Sequence, residues 1–318
     1  MTRTIELSIC ISSYNRSEEV CQLLDSISIA LNRDLVEKNS IEVVVCLDGS
    51  TDDSIEKIEL LVPKFPCHLR FSWQENMGLA AARNTLIDSA NGRRIWLLDD
   101  DMLLGDESFL THYRNEDLQD SLLVGSCRVI GNELVSGFYE DRWRKIVSQG
   151  GGVNKPEFMS FANTSGLTST FLKYKFNPEF KGYGFEDYEL AIRMLQDGIE
   201  IRFDEKASVI HKFERSSKKI LQNAFEEGVN RVKLQKLHPD CGGFSLIFKP
   251  SLVRRVIVKL AKLRLHRTLR FLSLLLIVAS NVLSGNIKTR IFVVAKFMSL
   301  QSGIAKANGS VTWSVDRN

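Results

Sequence analysis

The sequence predicts an α/β fold in which a mostly parallel sheet is flanked by helices and followed by a helical C-terminal extension. Three observations predict it. Apolar and β-branched runs alternate with amphipathic stretches over residues 7–98. Each run stops at a polar or acidic cluster, as strands do at the functional edge of such sheets. Beyond residue 240 the chain becomes basic and apolar with helical spacing.

Residues 7–12 form the first apolar run, which ends at Ser13, Tyr14, Asn15 and Arg16; Ser17 and Glu18 then open an amphipathic helix to about residue 31. Residues 41–47 (IEVVVCL) are almost continuously apolar, the pattern of a parallel strand covered on both faces. The run stops at Asp48-Gly49-Ser50-Thr51-Asp52-Asp53, whose turn and capping residues lead into a helix over 54–61. A strand over 68–73, a helix over 79–90 and a strand over 93–98 follow. The alternation implies right-handed crossovers and a parallel sheet. The second half is less regular: a strand over 122–130, a glycine-rich loop at 149–152, a segment over 158–172, and a helix over 187–196 with Leu190, Ala191, Met194 and Leu195 on one stripe. Strands over 200–203 and 207–210 deliver His211, and a helix over 216–237 ends before Pro239, Gly242 and Gly243. The break places a domain boundary between 1–240 and a tail over 241–318.

With 44% hydrophobic and 25% charged residues the chain reads as globular protein without a long disordered tract. Its six cysteines are scattered, with no CxxC pair and no zinc spacing, and are expected to be reduced core residues of a cytoplasmic protein. The first apolar run begins within a few residues of Met1, so no signal peptide is expected. The net charge of +3 hides a division: residues 249–318 carry 13 Lys/Arg against one acid, Asp316, which leaves −9 for the remainder. An acidic body argues against nucleic acid as a partner, whereas the tail suggests an anionic membrane surface and a peripheral place on the inner face of the cell membrane. Residues 249–270 interleave eight Lys/Arg with Leu, Val and Ile, and the 13-residue apolar stretch 271–283 is short of the roughly 20 needed to span a bilayer. An interfacial helix or hairpin fits this pattern, and so does a helical pair packed on protein.

The densest chemical signal is Asp99-Asp100-Asp101, directly after the apolar run 94–98. Carboxylates at the end of a buried strand repel one another and lose solvation unless a cation offsets them. An Asp-x-Asp pair offers hard oxygen ligands to Mg²⁺ or Mn²⁺, ions that bridge to substrate phosphates; alternatively the three acids cap a helix in solvent. Other residues also carry two readings. Tyr14 offers a π-face to a planar base or is a core aromatic, and Asp48 is a directional acceptor or an Asx-turn residue. Arg83 serves a diphosphate or orders nearby carboxylates, or else is an exposed helix arginine. His211 is a neutral metal ligand or a structural residue. Glu186 and Asp187 do acid–base work or charge a helix start.

Taken in order, Ser13-Tyr14-Asn15-Arg16, Asp48 to Asp53, Asn76-Met77-Gly78 with Ala82-Arg83-Asn84, Asp99-Asp100-Asp101, Gly182-Tyr183-Gly184-Phe185-Glu186-Asp187 and His211 resemble the motif series of the inverting family 2 glycosyltransferases of the GT-A fold, over about residues 5–235. The resemblance implies that Tyr14 stacks on the nucleotide base, Asp48 accepts a hydrogen bond from it, and Arg83 lies near the nucleotide. It further implies that Asp99 faces the ribose or base, that Asp101 and His211 hold Mn²⁺ or Mg²⁺, that Asp100 shares the donor-binding role or the metal role, and that Asp187, with Glu186 beside it, deprotonates the acceptor. The implied reaction moves one sugar from a nucleoside-diphosphate sugar, UDP-hexose favoured, to a hydroxyl of a saccharide or lipid-linked saccharide, in surface polysaccharide or glycan synthesis.

The Gly184 to Asp187 segment also resembles the acceptor-side motif of galactosyl- and N-acetylgalactosaminyl-transferring relatives, with Tyr183 or Phe185 available to pack on a sugar. Processive synthases of the family carry Gln-x-x-Arg-Trp, but Arg142-Trp143 here follows Tyr139 where glutamine would stand, which favours single transfers. Specificity is expected in the loops over 130–170. A nucleotidyltransferase acting on sugar phosphates would carry a glycine-rich basic loop after the first strand, unlike Ser12 to Ser17. A non-catalytic membrane-bound scaffold would have lost site residues, and no expected carboxylate is missing.

Overall fold

The computed structural model describes residues 5–34, 36–105, 108–113, 121–131, 144, 146–148, 151–152, 156, 159–212, 216–240, 252–262, 265–280 and 285–308. Backbone contacts divide the chain into two units, Met1–Glu179 with Glu186–Glu214, and Phe180–Phe185 with Arg215–Asn318. Cys241, Gly242 and Gly243, Arg142 and Trp143, Phe158, and Gln149 and Gly150 of the glycine-rich loop lie outside the described residues.

The first unit is built on eight strands: β1 (Leu7–Ser13), β2 (Ile41–Asp48), β3 (His68–Gln74), β4 (Arg94–Asp99), β5 (Met102–Leu104), β6 (Leu122–Ile130), β7 (Asn163–Leu167) and β8 (Ile201–Lys212), in the order β3-β2-β1-β4-β7-β6-β8-β5. The four strands β3, β2, β1 and β4 are parallel. Helices α1 (Ser17–Arg33), α2 (Ser54–Leu61) and α3 (Leu79–Ser89) make the crossovers between them. Every residue of β1 and β2 is buried, as their unbroken apolar runs predict. Past β4 the sheet becomes mixed: β7 runs antiparallel to β4 and β6, β6 parallel to β8, and β5 antiparallel to β8. Helices α4 (Ser108–Tyr113), α5 (Thr168–Tyr174) and α6 (Glu186–Gln196) complete this unit.

The two strands expected over 200–203 and 207–210 are one strand, β8. A register shift between Gly125 and Cys127 of β6 absorbs the polar interruption, so pairing resumes on its far side. Two registers decide where chemistry collects. Ser12 pairs with Asp99, which sets the loops after β1 and β4 side by side. Met102 pairs with His211, which brings Asp101 next to that histidine. Beneath this edge Trp96 stacks on His112 at 4.2 Å and donates to Asn163 Oδ1 at 2.9 Å. Burial pushes the His112 imidazole down to about 3, so it serves the core as a neutral hydrogen-bonding ring.

The second unit consists of α7 (Ser217–Leu237), α8 (Leu252–Lys262), α9 (His266–Ser280), α10 (Gly285–Asn308) and the segment Phe180–Phe185. Ser216 caps α7 by accepting from the Lys219 N–H at 3.2 Å. Helices α7 and α10 approach closely where Gly228 meets Gly303: a Cβ on Gly303 would lie 1.9 Å from the Phe225 carbonyl oxygen, so any side chain would force the helices apart. Phe180–Phe185 is tied to α7, whose Glu226 accepts from the Tyr183 N–H at 2.9 Å while Asn230 Nδ2 donates to the carbonyls of Lys181 (3.0 Å) and Gly184 (2.9 Å). Among the described residues no helix is long and apolar enough to cross a membrane.

Candidate active site

Chemistry-bearing side chains gather at the carboxyl edge of the parallel strands, in two groups that share the end of β4. The first surrounds Arg83 of α3. Its guanidinium is 3% exposed and donates to Asp187 Oδ1 at 2.7 Å and Asp99 Oδ1 at 2.9 Å, with Glu186 Oε1 3.7 Å away. Burial works against the guanidinium charge, yet Asp187, Asp99 and Glu186 more than offset it and hold Arg83 above its ordinary value. The reading of Arg83 as an exposed helix residue is therefore excluded: it sits between carboxylates and over the Phe176 ring at 5.1 Å. Asp187 lies in the first turn of α6 and also accepts from the Phe161 N–H at 3.1 Å, so both its oxygens are oriented. Its neighbour Glu186 is buried, and Glu186 Oε2 has no hydrogen-bond partner among the described residues. Burial first, then the Asp187 charge, push the Glu186 carboxyl up to about 8.

The second group surrounds Asp100 and Asp101. Arg16 Nη1 reaches across from the β1 loop to Asp100 Oδ1 at 2.7 Å and Asp101 Oδ2 at 2.9 Å. His211 Nε2 lies 3.1 Å from that same Asp101 oxygen. Burial, with Asp101 adding to it against the pull of Arg16, pushes Asp100 up to about 7. The donor chemistry of Asp101 and His211 fits a divalent cation. Two ligands in adjacent positions of an octahedral ion, each about 2.1 Å from it, stand about 3 Å apart, and a carboxylate beside a neutral imidazole is a donor pair that divalent transition-metal ions accept. Among the described residues no three or more His, Cys, Asp or Glu side chains are arranged to hold one metal ion, so substrate and water oxygens would complete such a sphere.

Tyr14 and Asp48 flank this edge. Tyr14 is 51% exposed, which excludes the core-aromatic reading. Asp48 is buried and accepts from Gln74 Nε2 (2.7 Å), the Met77 N–H (3.0 Å) and the Gly78 N–H (2.8 Å). It shapes the loop that enters α3, and three of about four lone-pair positions are used. The structure thus brings Asp99, Arg83, Glu186 and Asp187 together, and separately Asp100, Asp101 and His211.

A motif series and an edge of this kind have counterparts. The family described as Glycosyl transferase family 2 matches residues 8–169, half of the chain. This chain belongs to that family. An uncharacterized glycosyltransferase of Escherichia coli, YibD, is 30% identical over 130 residues, which cover 40% of this chain and 35% of that protein; the match thus spans about a third of the relative's length. The mannosyltransferase PcManGT of Pyrobaculum calidifontis, in complex with GDP-Man and Mn²⁺, aligns with a TM-score of 0.56 at 14% identity, over 74% of this chain and 65% of that one. GalNAc-T7 with UDP, GalNAc and Mn²⁺ aligns with a TM-score of 0.52 at 14% identity, over 77% and 53%. These likenesses show the fold to be GT-A.

In this family member, sequence reasoning missed Arg16 as a site residue, although it stands inside the Ser13 to Arg16 motif. The signal was there: three successive acids need a nearby cation, and the loop after β1 is the adjacent strand end. The Phe161 N–H, which orients Asp187, leaves no trace in side-chain chemistry. The raised Glu186 has a measurable consequence. Its folded value lies above the ordinary 4.5, so between those limits the folded state holds a proton that the unfolded chain has released, and stability falls as pH rises through that window. Replacing Glu186 by glutamine removes the burden. The melting temperature of Glu186→Gln relative to the native enzyme is expected to be higher at pH 8 than at pH 5, and an equal difference at both would show that Glu186 ionises freely.

Proposed function

We propose that the enzyme transfers one sugar, with inversion, from a nucleoside-diphosphate sugar to a hydroxyl of a saccharide or lipid-linked saccharide. The observation that carries this reading is the division of labour at the end of β4, where Asp99 joins Arg83 and Asp187 while Asp101 joins His211. One group suits acceptor activation and the other suits a metal–diphosphate complex. The ring of Tyr14 stacks on the base, and Asp99 and Asp100 line the donor side. Asp101 and His211 hold the divalent ion, which when bound neutralises charge gathering on the departing diphosphate.

Asp187 takes the proton of the acceptor hydroxyl as its oxygen attacks C1 of the sugar on the face opposite the diphosphate. The C1–O bond to phosphate breaks with its electron pair, so one displacement inverts the anomeric centre without a covalent enzyme intermediate. Arg83 and the Phe161 N–H fix the Asp187 carboxylate for that step, a positioning contribution. UDP-hexose is the favoured donor: GalNAc-T7 was solved with UDP and GalNAc, while PcManGT was solved with GDP-Man. A panel of nucleotide sugars with Mn²⁺, read by thermal stabilisation and slow hydrolysis, tests the assignment. Stabilisation by a UDP-sugar above the others is expected; selective stabilisation by a GDP- or dTDP-sugar would replace the donor, and none at all would count against the donor site.

A further inference from the structure

Helix α9 has two apolar faces, and among the described residues only one of them is covered. Leu269, Ser273 and Ile277 are buried within the helical unit, Leu269 beside Phe297 and Met298, and Ile277 beside Leu221 and Ala295. On the opposite side Phe271 (61% exposed), Leu274, Leu275 and Val278 (67%) follow one another at helical spacing, and Arg267 heads the same stripe. A helix that is apolar all round belongs in a core or at a lipid boundary, and four adjacent large side chains in water are not ordinary surface. At one edge of the stripe Leu274 also lines a cavity of about 280 Å³, together with Ser216, Lys218, Lys219, Gln222 and Arg270. Cations and hydroxyls therefore sit next to the apolar face, the combination that a phosphate headgroup above acyl chains requires.

We propose that the outer face of α9, from Arg267 to Val278, docks in the plane of an anionic phospholipid bilayer, with Lys218, Lys219 and Arg270 meeting lipid phosphates. Charge selects this occupant. From Lys249 to Val315 the chain has 12 Lys/Arg and no carboxylate, so a second copy of the same face would meet a like-charged surface. The helix has 15 residues, about 22 Å at 1.5 Å each, which is too short to span and long enough to lie flat with its side chains in the interface. This inference stands apart from the transferase reading, since none of its residues belongs to the candidate active site.

Co-sedimentation of the full chain with vesicles of phosphatidylglycerol and phosphatidylcholine tests it, against vesicles of phosphatidylcholine alone. Binding is expected only to the anionic vesicles and is expected to weaken with salt. The double substitution Phe271→Glu and Val278→Glu should lower the partition coefficient at least about tenfold, and Lys218→Glu with Lys219→Glu should lower it while leaving the exposed apolar stripe intact. Helical content by circular dichroism should stay unchanged in both, because the substituted side chains point away from the unit's core. Equal binding to both vesicle types, or undiminished binding by the Phe271/Val278 variant, would overturn the proposal. So would a native oligomer that this variant dissolves without any vesicle binding, which would make the face a contact between copies.

Discussion

Replacing Asp187 by asparagine is expected to leave donor affinity unchanged while turnover falls by at least about a hundredfold, the lower contribution typical of a general base. Asparagine keeps the shape and one acceptor oxygen, so Arg83 retains a partner there at the cost of one hydrogen bond among the two that now orient the carboxylate. The proposed donor contacts of Asp101 and His211 lie in the other group and are untouched. Calorimetric titration with the donor and initial-rate kinetics separate the two effects. Near-native turnover would remove Asp187 from the proton transfer, and a parallel loss of donor affinity would reassign it to holding the site together.

The second large effect is expected at Arg83. Substitution by methionine keeps much of the stem but leaves Asp99, Asp187 and Glu186 without their shared cation, in a place where the guanidinium itself is almost fully buried. Breaking a buried pair by removing one partner costs about 3–5 kcal/mol; Asp99 and Asp187 keep some solvent contact, which moves the expectation to the lower end, about 3 kcal/mol. That is a large share of a typical stability of about 5–15 kcal/mol. Lysine should rescue only part of it, because an ammonium cannot serve both carboxylates in one plane as the guanidinium does. The denaturant midpoint reports this directly. If Arg83 instead served the diphosphate, the loss would appear in the donor KM with the midpoint unchanged, so the two roles named from the sequence give opposite patterns.

Much of the fold was legible because burial on both faces writes itself into sequence: IEVVVCL can hardly be anything but an interior strand, and Asp48 to Asp53 after it marks where the strand leaves the core. The acidic triplet was legible for the same reason. What could not be read depended on register. A three-residue strand such as β5 carries no period of its own, yet its pairing with β8 is what sets Asp101 against His211. Arg16 needed the Ser12–Asp99 alignment before it could be seen as the cation of Asp100 and Asp101. The burial of Arg83 was hidden because an arginine on a helix ordinarily faces water, and only the meeting of Asp99 at the end of β4 with Glu186 and Asp187 at the start of α6 gives it carboxylate partners inside the fold. In the tail, an apolar run announced itself, but which of its faces would be covered was a question of tertiary packing that periodicity alone does not answer.

Binding of Mn²⁺ in the presence of UDP, followed by electron paramagnetic resonance on the native enzyme and on Asp101→Ala and His211→Ala, tests the central claim most directly. The account predicts one tightly held ion whose affinity rises with the nucleotide and drops at least about tenfold in either variant, the scale of loss when a metal's protein environment is disrupted. Native-like Mn²⁺ affinity in both variants, with UDP still bound, would contradict it.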